Sequence, residues 1–113
     1  MTALATAVLN KTTGAVPALV AASTSDTCEG TTATGRIFVV YRNTNAATRT
    51  VTAVVPGNET YGPAKPDPTY TLGATTGELW IPVDPAFVDP TTGQCTFTLD
   101  ASAGVTVVPV KIA

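Results

Sequence analysis

Few side chains in this sequence could do acid–base or nucleophilic chemistry. The 113 residues hold eight carboxylates, six basic residues and no histidine. Without histidine, the commonest general base, the Ser–His and Cys–His nucleophile pairs and the commonest transition-metal ligand are all missing. Asp84 and Asp89 flank Pro85–Val88, and Asp26 and Glu29 share a polar stretch. A glycosidase-type pair would need a cleft lined by sugar-stacking aromatics. The chain has one Trp, three Tyr and three Phe, which is poor material for that. A calcium site at Asp84 and Asp89 would need six to eight oxygens, whereas Asp-Pro is a common opening of a turn. Ser23, Ser25 and Ser102 fall in small-residue loops, and no phosphate-binding glycine loop or nucleophile elbow occurs. The expectation is a protein that is not an enzyme and takes no cofactor or metal.

Two cysteines, Cys28 and Cys95, are too few for a disulfide scaffold or a zinc site, and there is no CxxC. A bridge between them would close a long loop and add about 4 kcal/mol in the chain-entropy view. Two buried thiols are the alternative in a cytoplasmic protein. Arg36, Arg42 and Arg49 lie in a stretch, residues 30–58, with no acidic residue. Either Arg36 and Arg42 bracket a buried strand and reach to water, or the three make a basic patch for an acidic protein partner. Trp80 alternates with Leu79 and Ile81; if those face the core, Trp80 faces out, as interface anchors do.

These side chains must be positioned by strands. Threonine (23) and valine (14) far outnumber leucine (6), and β-branched side chains suit a pleated sheet better than a helix. Arg36–Arg42 is apolar on both faces between its arginines and reads as a central strand. Arg49–Val55 alternates, with Val51, Ala53 and Val55 on one face, and is expected to form a hairpin with it across the turn 43–48. Ala15–Ala22 reads as a first strand, edge-placed because of Pro17, followed by a polar loop over residues 23–35. Tyr70–Leu72, Glu78–Val83, Cys95–Leu99 and Val105–Val110 complete the set. Pro82 marks an edge or a strand end, and Cys95, Phe97 and Leu99 point inward. Asp89-Pro-Thr-Thr-Gly93 is a turn, and the proline-rich passage Pro63–Pro68 an extended surface loop. Short strands separated by Gly/Pro turns indicate an all-β fold, a small antiparallel β-sandwich of jelly-roll or Ig-like type. Residues 1–14 are expected to form an extended N-terminal arm, with a short helix as the alternative because Leu4, Val8 and Leu9 would share one helical face, and 15–113 the sandwich. Leu4, Val8 and Leu9 are the arm's apolar residues and, with Arg36, Arg42, Arg49 and Trp80, the candidate interface residues.

Charged residues are 12% of the chain, against about 25% in an average soluble protein. That depletion fits a surface partly covered by other subunits. A net charge of −2 with scattered basic residues argues against nucleic acid. No apolar stretch reaches the ~20 residues of a membrane helix, and the N-terminus has no basic region of a secretory signal, so a cytoplasmic origin is expected.

The segments Gly35-Arg-Ile-Phe-Val-Val-Tyr-Arg-Asn43 and Ala47-Thr-Arg-Thr-Val-Thr-Ala-Val-Val-Pro56 resemble the "GRTFL-V-KN" and "TVTV-TP" strands of the small capsid decoration (head accessory) proteins of tailed bacteriophages, especially those of actinobacteria. Gly77–Pro82 with Asp89–Asp100, and Val105–Val110, resemble that family's later strands. The resemblance spans residues 15–112 as a pattern of strands and turns; Cys28, Cys95 and the Pro63–Pro68 loop depart from it. It implies a β-sandwich on the virion's capsid exterior, made in the host bacterial cytoplasm. The implied partners are the major capsid protein and other copies of itself, as a homotrimer, with no nucleic acid and no membrane. A tail or fibre β-domain and a carbohydrate-binding or adhesin module are the alternatives.

Overall fold

The computed structural model describes residues 2–9, 12, 19–30, 37–57, 62–63 and 66–112. Its strands are β1 (Thr2–Ala3), β2 (Ala7–Leu9), β3 (Val20–Ala21), β4 (Ser25–Glu29), β5 (Ile37–Asn43), β6 (Arg49–Ala53), β7 (Thr69–Leu72), β8 (Gly77–Pro82), β9 (Gln94–Leu99) and β10 (Val105–Ile112). A 3-10 turn, Pro85–Phe87, separates β8 from β9. The strands form two sheets. Sheet I runs β1-β4-β9-β6-β7; sheet II runs β2-β10-β5-β8, with β3 also on β10. Pairing is antiparallel except where the N-terminal segment joins. The fold is therefore a small, nearly all-β sandwich, as the residue pattern implied.

The core lies between the sheets because each strand turns its alternate apolar residues inward. Sheet I contributes Cys28, Cys95, Phe97, Leu99, Val51, Ala53 and Leu72; sheet II contributes Ile37, Val39, Tyr41, Ile81, Val105 and Val107. Edge-on aromatic contacts join the layers: Tyr41 to Phe97 at 6.5 Å and Phe87 to Phe97 at 6.3 Å between ring centroids. Such pairs add about 0.5–1.5 kcal/mol beyond area burial.

The expected hairpin of β5 with β6 does not form. β5 pairs with β10 and β8, and β6 with β7 and β9. The chain changes sheet between them, as it does at every connection from β4 to β10 except β6–β7. A buried polar side chain accompanies the change. Asn43 is fully buried, and its Nδ2 donates to the Ala47 and Gly73 carbonyls at 2.9 and 3.0 Å. Its Oδ1 accepts from the Asn45 amide at 3.0 Å. One side chain thus folds the arch 44–48 over and ties it to the β7–β8 turn. That turn is close-packed: a Cβ on Gly77 would collide with the Gly73 carbonyl.

A second correction concerns residues 23–35, expected as a polar loop. Residues 25–29 form β4, with Asp26, Thr27 and Cys28 buried. A charged residue at an inward position hid the alternation. Asp26 is accommodated because Ser23 caps it, its hydroxyl donating at 2.6 Å and its amide at 3.1 Å. Of the expected strand Ala15–Ala22, residues 20–21 form β3; Pro17 lies outside the described residues.

The N-terminal segment is extended and lies along both layers. β1 pairs in parallel with β4, and β2 with β10. Both prolines inside strands obey the missing-donor rule. The Val83 amide bonds the Ile37 carbonyl, so the neighbouring Pro82 nitrogen faces the open side of edge strand β8. The Val105 carbonyl accepts from Ala22, which turns residues of that parity, Pro109 included, toward β3 and β2. Pro109 falls between the residues paired with β3 (Thr106, Val107) and those paired with β2 (Val110–Ile112).

Candidate functional site

The outward side of sheet II is apolar where a solvent-facing sheet would be polar. By register, Phe38, Val40 and Arg42 on β5 lie beside Val110, Val108 and Thr106 on β10, and beside Pro82, Trp80 and Glu78 on β8. Val40, Val108 and Val110 are buried there in a cluster separate from the main core, with Ala7, Leu19 and Phe38 packed against them. Leu9, Leu19, Phe38, Val40, Trp80 and Val110 line most of a cavity of about 340 Å³ on this face. That is near the lower end of ligand-pocket sizes.

Trp80 dominates the face. It is 59% exposed, and its ring stacks on Phe38 with centroids 5.0 Å apart and planes 14° from parallel. The stack fixes the indole at little further entropic cost, which is what an interface anchor requires. Arg42 Nε meets Glu78 Oε1 at 3.2 Å beside the groove. Both partners are about half exposed, so the pair contributes at most ~1 kcal/mol. Its value at this site is directional charge at the rim of an apolar surface.

The sequence-derived interface residues divide. Trp80 and Arg42 sit on this one face, and Leu9 lines its groove. Val8 is exposed on the same strand as Leu9. Leu4 is not available for an interface: it is 9% exposed and belongs to the main core, its amide bonded to the Thr27 carbonyl at 2.8 Å. Arg49 does not join Arg42. It lies on the other sheet, paired in register with Leu72, and donates from Nη2 to the Ala103 carbonyl at 3.2 Å. The change of sheet at residues 44–48 separates the two arginines, so they form no common patch. Arg36 lies outside the described residues. Val40, Val108 and Val110 are buried under this face and Phe38 partly so, as expected of a strand apolar on both faces; that they line a groove on the outer side was not read from the sequence. The two-sided pattern of β5 and the run Val107–Val110 were the available signal.

The remaining reactive groups are absorbed by the fold. Asp84 Oδ1 accepts from the Ala86 amide and Asp89 Oδ1 from the Thr91 amide, each at 2.8 Å, so each carboxylate caps its own turn. Among the described residues, no three His, Cys, Asp or Glu side chains converge as a metal site. Tyr41 OH is buried with no hydrogen-bond partner among the described residues, and burial pushes its pKa well up. Cys28 and Cys95 are free, buried and directly opposite each other on β4 and β9. The outer face of sheet II thus carries an apolar groove with the exposed Trp80 beside it. Comparison of the chain with protein-family models, with curated proteins and with solved structures finds no match.

Proposed function

We propose that this chain is a non-enzymatic structural protein that docks through the outer face of sheet II onto a large protein assembly, as a capsid decoration protein of a tailed bacteriophage. The observation that carries the docking is the exposed Trp80–Phe38 stack at the mouth of an apolar groove. The assembly comes from the resemblance of the β5, β6, β8 and β9 segments to that family's strands. Its partner is the major capsid protein on the outside of the assembled shell, and its action is to stabilise that shell. The domain acts as a homotrimer. One subunit of this size offers about 800 Å² to a partner, and three linked contacts raise avidity by orders of magnitude.

The test is co-sedimentation of the purified protein with shells assembled from the major capsid protein of a tailed bacteriophage whose genome encodes this chain. Saturable binding that raises the shells' melting temperature is the expected result. Binding to isolated tails and not to shells would reassign the chain to a tail or fibre. Binding to neither, at concentrations far above those in an infected cell, would overturn the reading.

A further inference from the structure

Cys28 and Cys95 are partners in the β4–β9 ladder. Its ends are fixed by the Leu99 amide on the Thr24 carbonyl at 3.0 Å and the Gly30 amide on the Gly93 carbonyl at 2.9 Å. Counting in twos from either end makes Cys28–Cys95 a hydrogen-bonded pair, for which Cα atoms stand about 5.5 Å apart. A disulfide spans Cα separations of about 4.4–6.8 Å, so the backbone is already in range. Cβ atoms of facing residues are about 4.5–5.5 Å apart, whereas a disulfide wants about 3.5–4.5 Å. Closing the bond therefore draws the strands together slightly and leaves some strain.

The surroundings hold the two sulfurs in place. Both side chains are buried on the inner face. Gly30 supplies the room: a Cβ there would fall 2.8 Å from Cys95 Sγ and 2.7 Å from a Val88 methyl. The interaction with Cys95, together with burial, pushes the Cys28 thiol up from its ordinary value.

We infer that Cys28 and Cys95 are a redox pair that closes a reversible cross-strand disulfide clamping β4 to β9. The oxidant is a low-molecular-weight disulfide. The thiolate of one of the two cysteines attacks one of its sulfurs, that S–S bond breaks, and the departing thiolate takes up a proton. The other cysteine's sulfur, losing its proton, then attacks the protein sulfur of the mixed disulfide and expels the second thiol. Two protein thiols are oxidised and one external disulfide is reduced to two thiols. Because both sulfurs are buried, exchange takes place while β4 is open, during folding or local unfolding. Among the described residues β4 is held on its far side only by the two-residue strand β1, which favours that opening. The strain at a hydrogen-bonded site makes the bridge easier to reduce than an unstrained structural disulfide. The inference is independent of which assembly the chain joins.

The full chain is refolded in excess oxidised glutathione or in dithiothreitol and compared by intact mass, thiol titration and thermal melting. The oxidised protein is expected to be a chain lighter by about 2 Da with no titratable thiol. It should melt about 10 °C higher than the reduced form, the strain offsetting part of the loop-closure gain. Excess reduced glutathione should reverse the change, and a Cys28→Ser/Cys95→Ser variant should not respond. The wild-type comparison stands even where that variant fails to fold. Two free thiols after oxidative refolding, glutathione adducts or chain-to-chain dimers would each overturn the pair. An oxidised form that melts no higher than the reduced one would overturn the clamp.

Discussion

The two outer faces of this sandwich are built by the same alternation and end in opposite chemistry. On sheet I the outward positions are hydroxylic. Ser25, Thr98, Thr52 and Thr69 stand in one row across β4, β9, β6 and β7, and Thr27–Thr96 and Thr50–Thr71 stand in rows beside it. On sheet II the corresponding positions are Phe38, Val40, Val108, Val110 and Trp80. Threonine keeps β-branching and, at the exposed positions Thr50, Thr69 and Thr71, turns a hydroxyl to water, so most of sheet I is finished as a surface. Sheet II keeps the same backbone preference without the hydroxyl, and its outer face stays incompletely covered by the N-terminal segment and Leu19. A protein with few charges thus carries one hydroxylic face and one apolar face on the same backbone pattern.

The comparison is broken most severely by placing a charge under the apolar face. Val108 is 3% exposed, so Val108→Asp should cost more than about 3 kcal/mol in urea unfolding, by burying an unpaired carboxylate. Thr71→Asp, at an exposed outward position of sheet I, should stay within about 0.5 kcal/mol. Equal losses would mean that the faces do not differ in burial.

The arch that separates the faces comes next. Asn43→Ala removes three hydrogen bonds from a buried side chain and leaves two carbonyls and one amide unpaired. A loss of about 2–3 kcal/mol is expected. Shell binding per folded molecule should be unchanged, because neither outer face is touched.

Trp80→Ala sharpens the comparison at the level of function. Because the indole is largely exposed, stability should fall by about 1 kcal/mol or less. Affinity for shells should fall by about 30-fold, the scale of an interface anchor. Thr52→Ala on the opposite face should leave affinity unaltered. Should Thr52→Ala weaken binding and Trp80→Ala not, the docking face is sheet I.

The smallest effect lies at the end of the threonine face. Asp100 Oδ1 accepts from the Thr50 amide at 3.0 Å and the Ala101 amide at 2.9 Å. The Thr50 bond first, then the Ala101 bond and nearby Arg49, hold its carboxyl below the ordinary 3.8. A depressed folded pKa stabilises above the unfolded value and fades as the pH falls through the folded one. Asp100→Asn should therefore lower stability slightly at pH 7 and flatten the stability–pH curve below about pH 4, the two proteins converging once the carboxyl is protonated in both states. Solvent exposure keeps this effect small.

The sequence by itself determined the fold class and most inward positions. Cys95, Phe97 and Leu99, and Ile81 and Val83 opposite Trp80, could be read directly, because side-chain direction in a strand has a period of two and needs no knowledge of partners. The same rule put Trp80 outside. What only the tertiary structure decided was pairing. Whether β6 lies beside β5 or across the core from it depends on where the Asn43 side chain finds its carbonyls, and one of them, Gly73, is far away in sequence. Asp26 could be an inward strand residue only once Ser23 was folded against it. Leu4 became core and Arg42 parted from Arg49 for the same reason: long-range register, not local pattern, assigns a strand to a sheet. The groove on the outer face was hidden in plain hydrophobicity, since a residue buried between the sheets and one lining an outer groove have the same side chain.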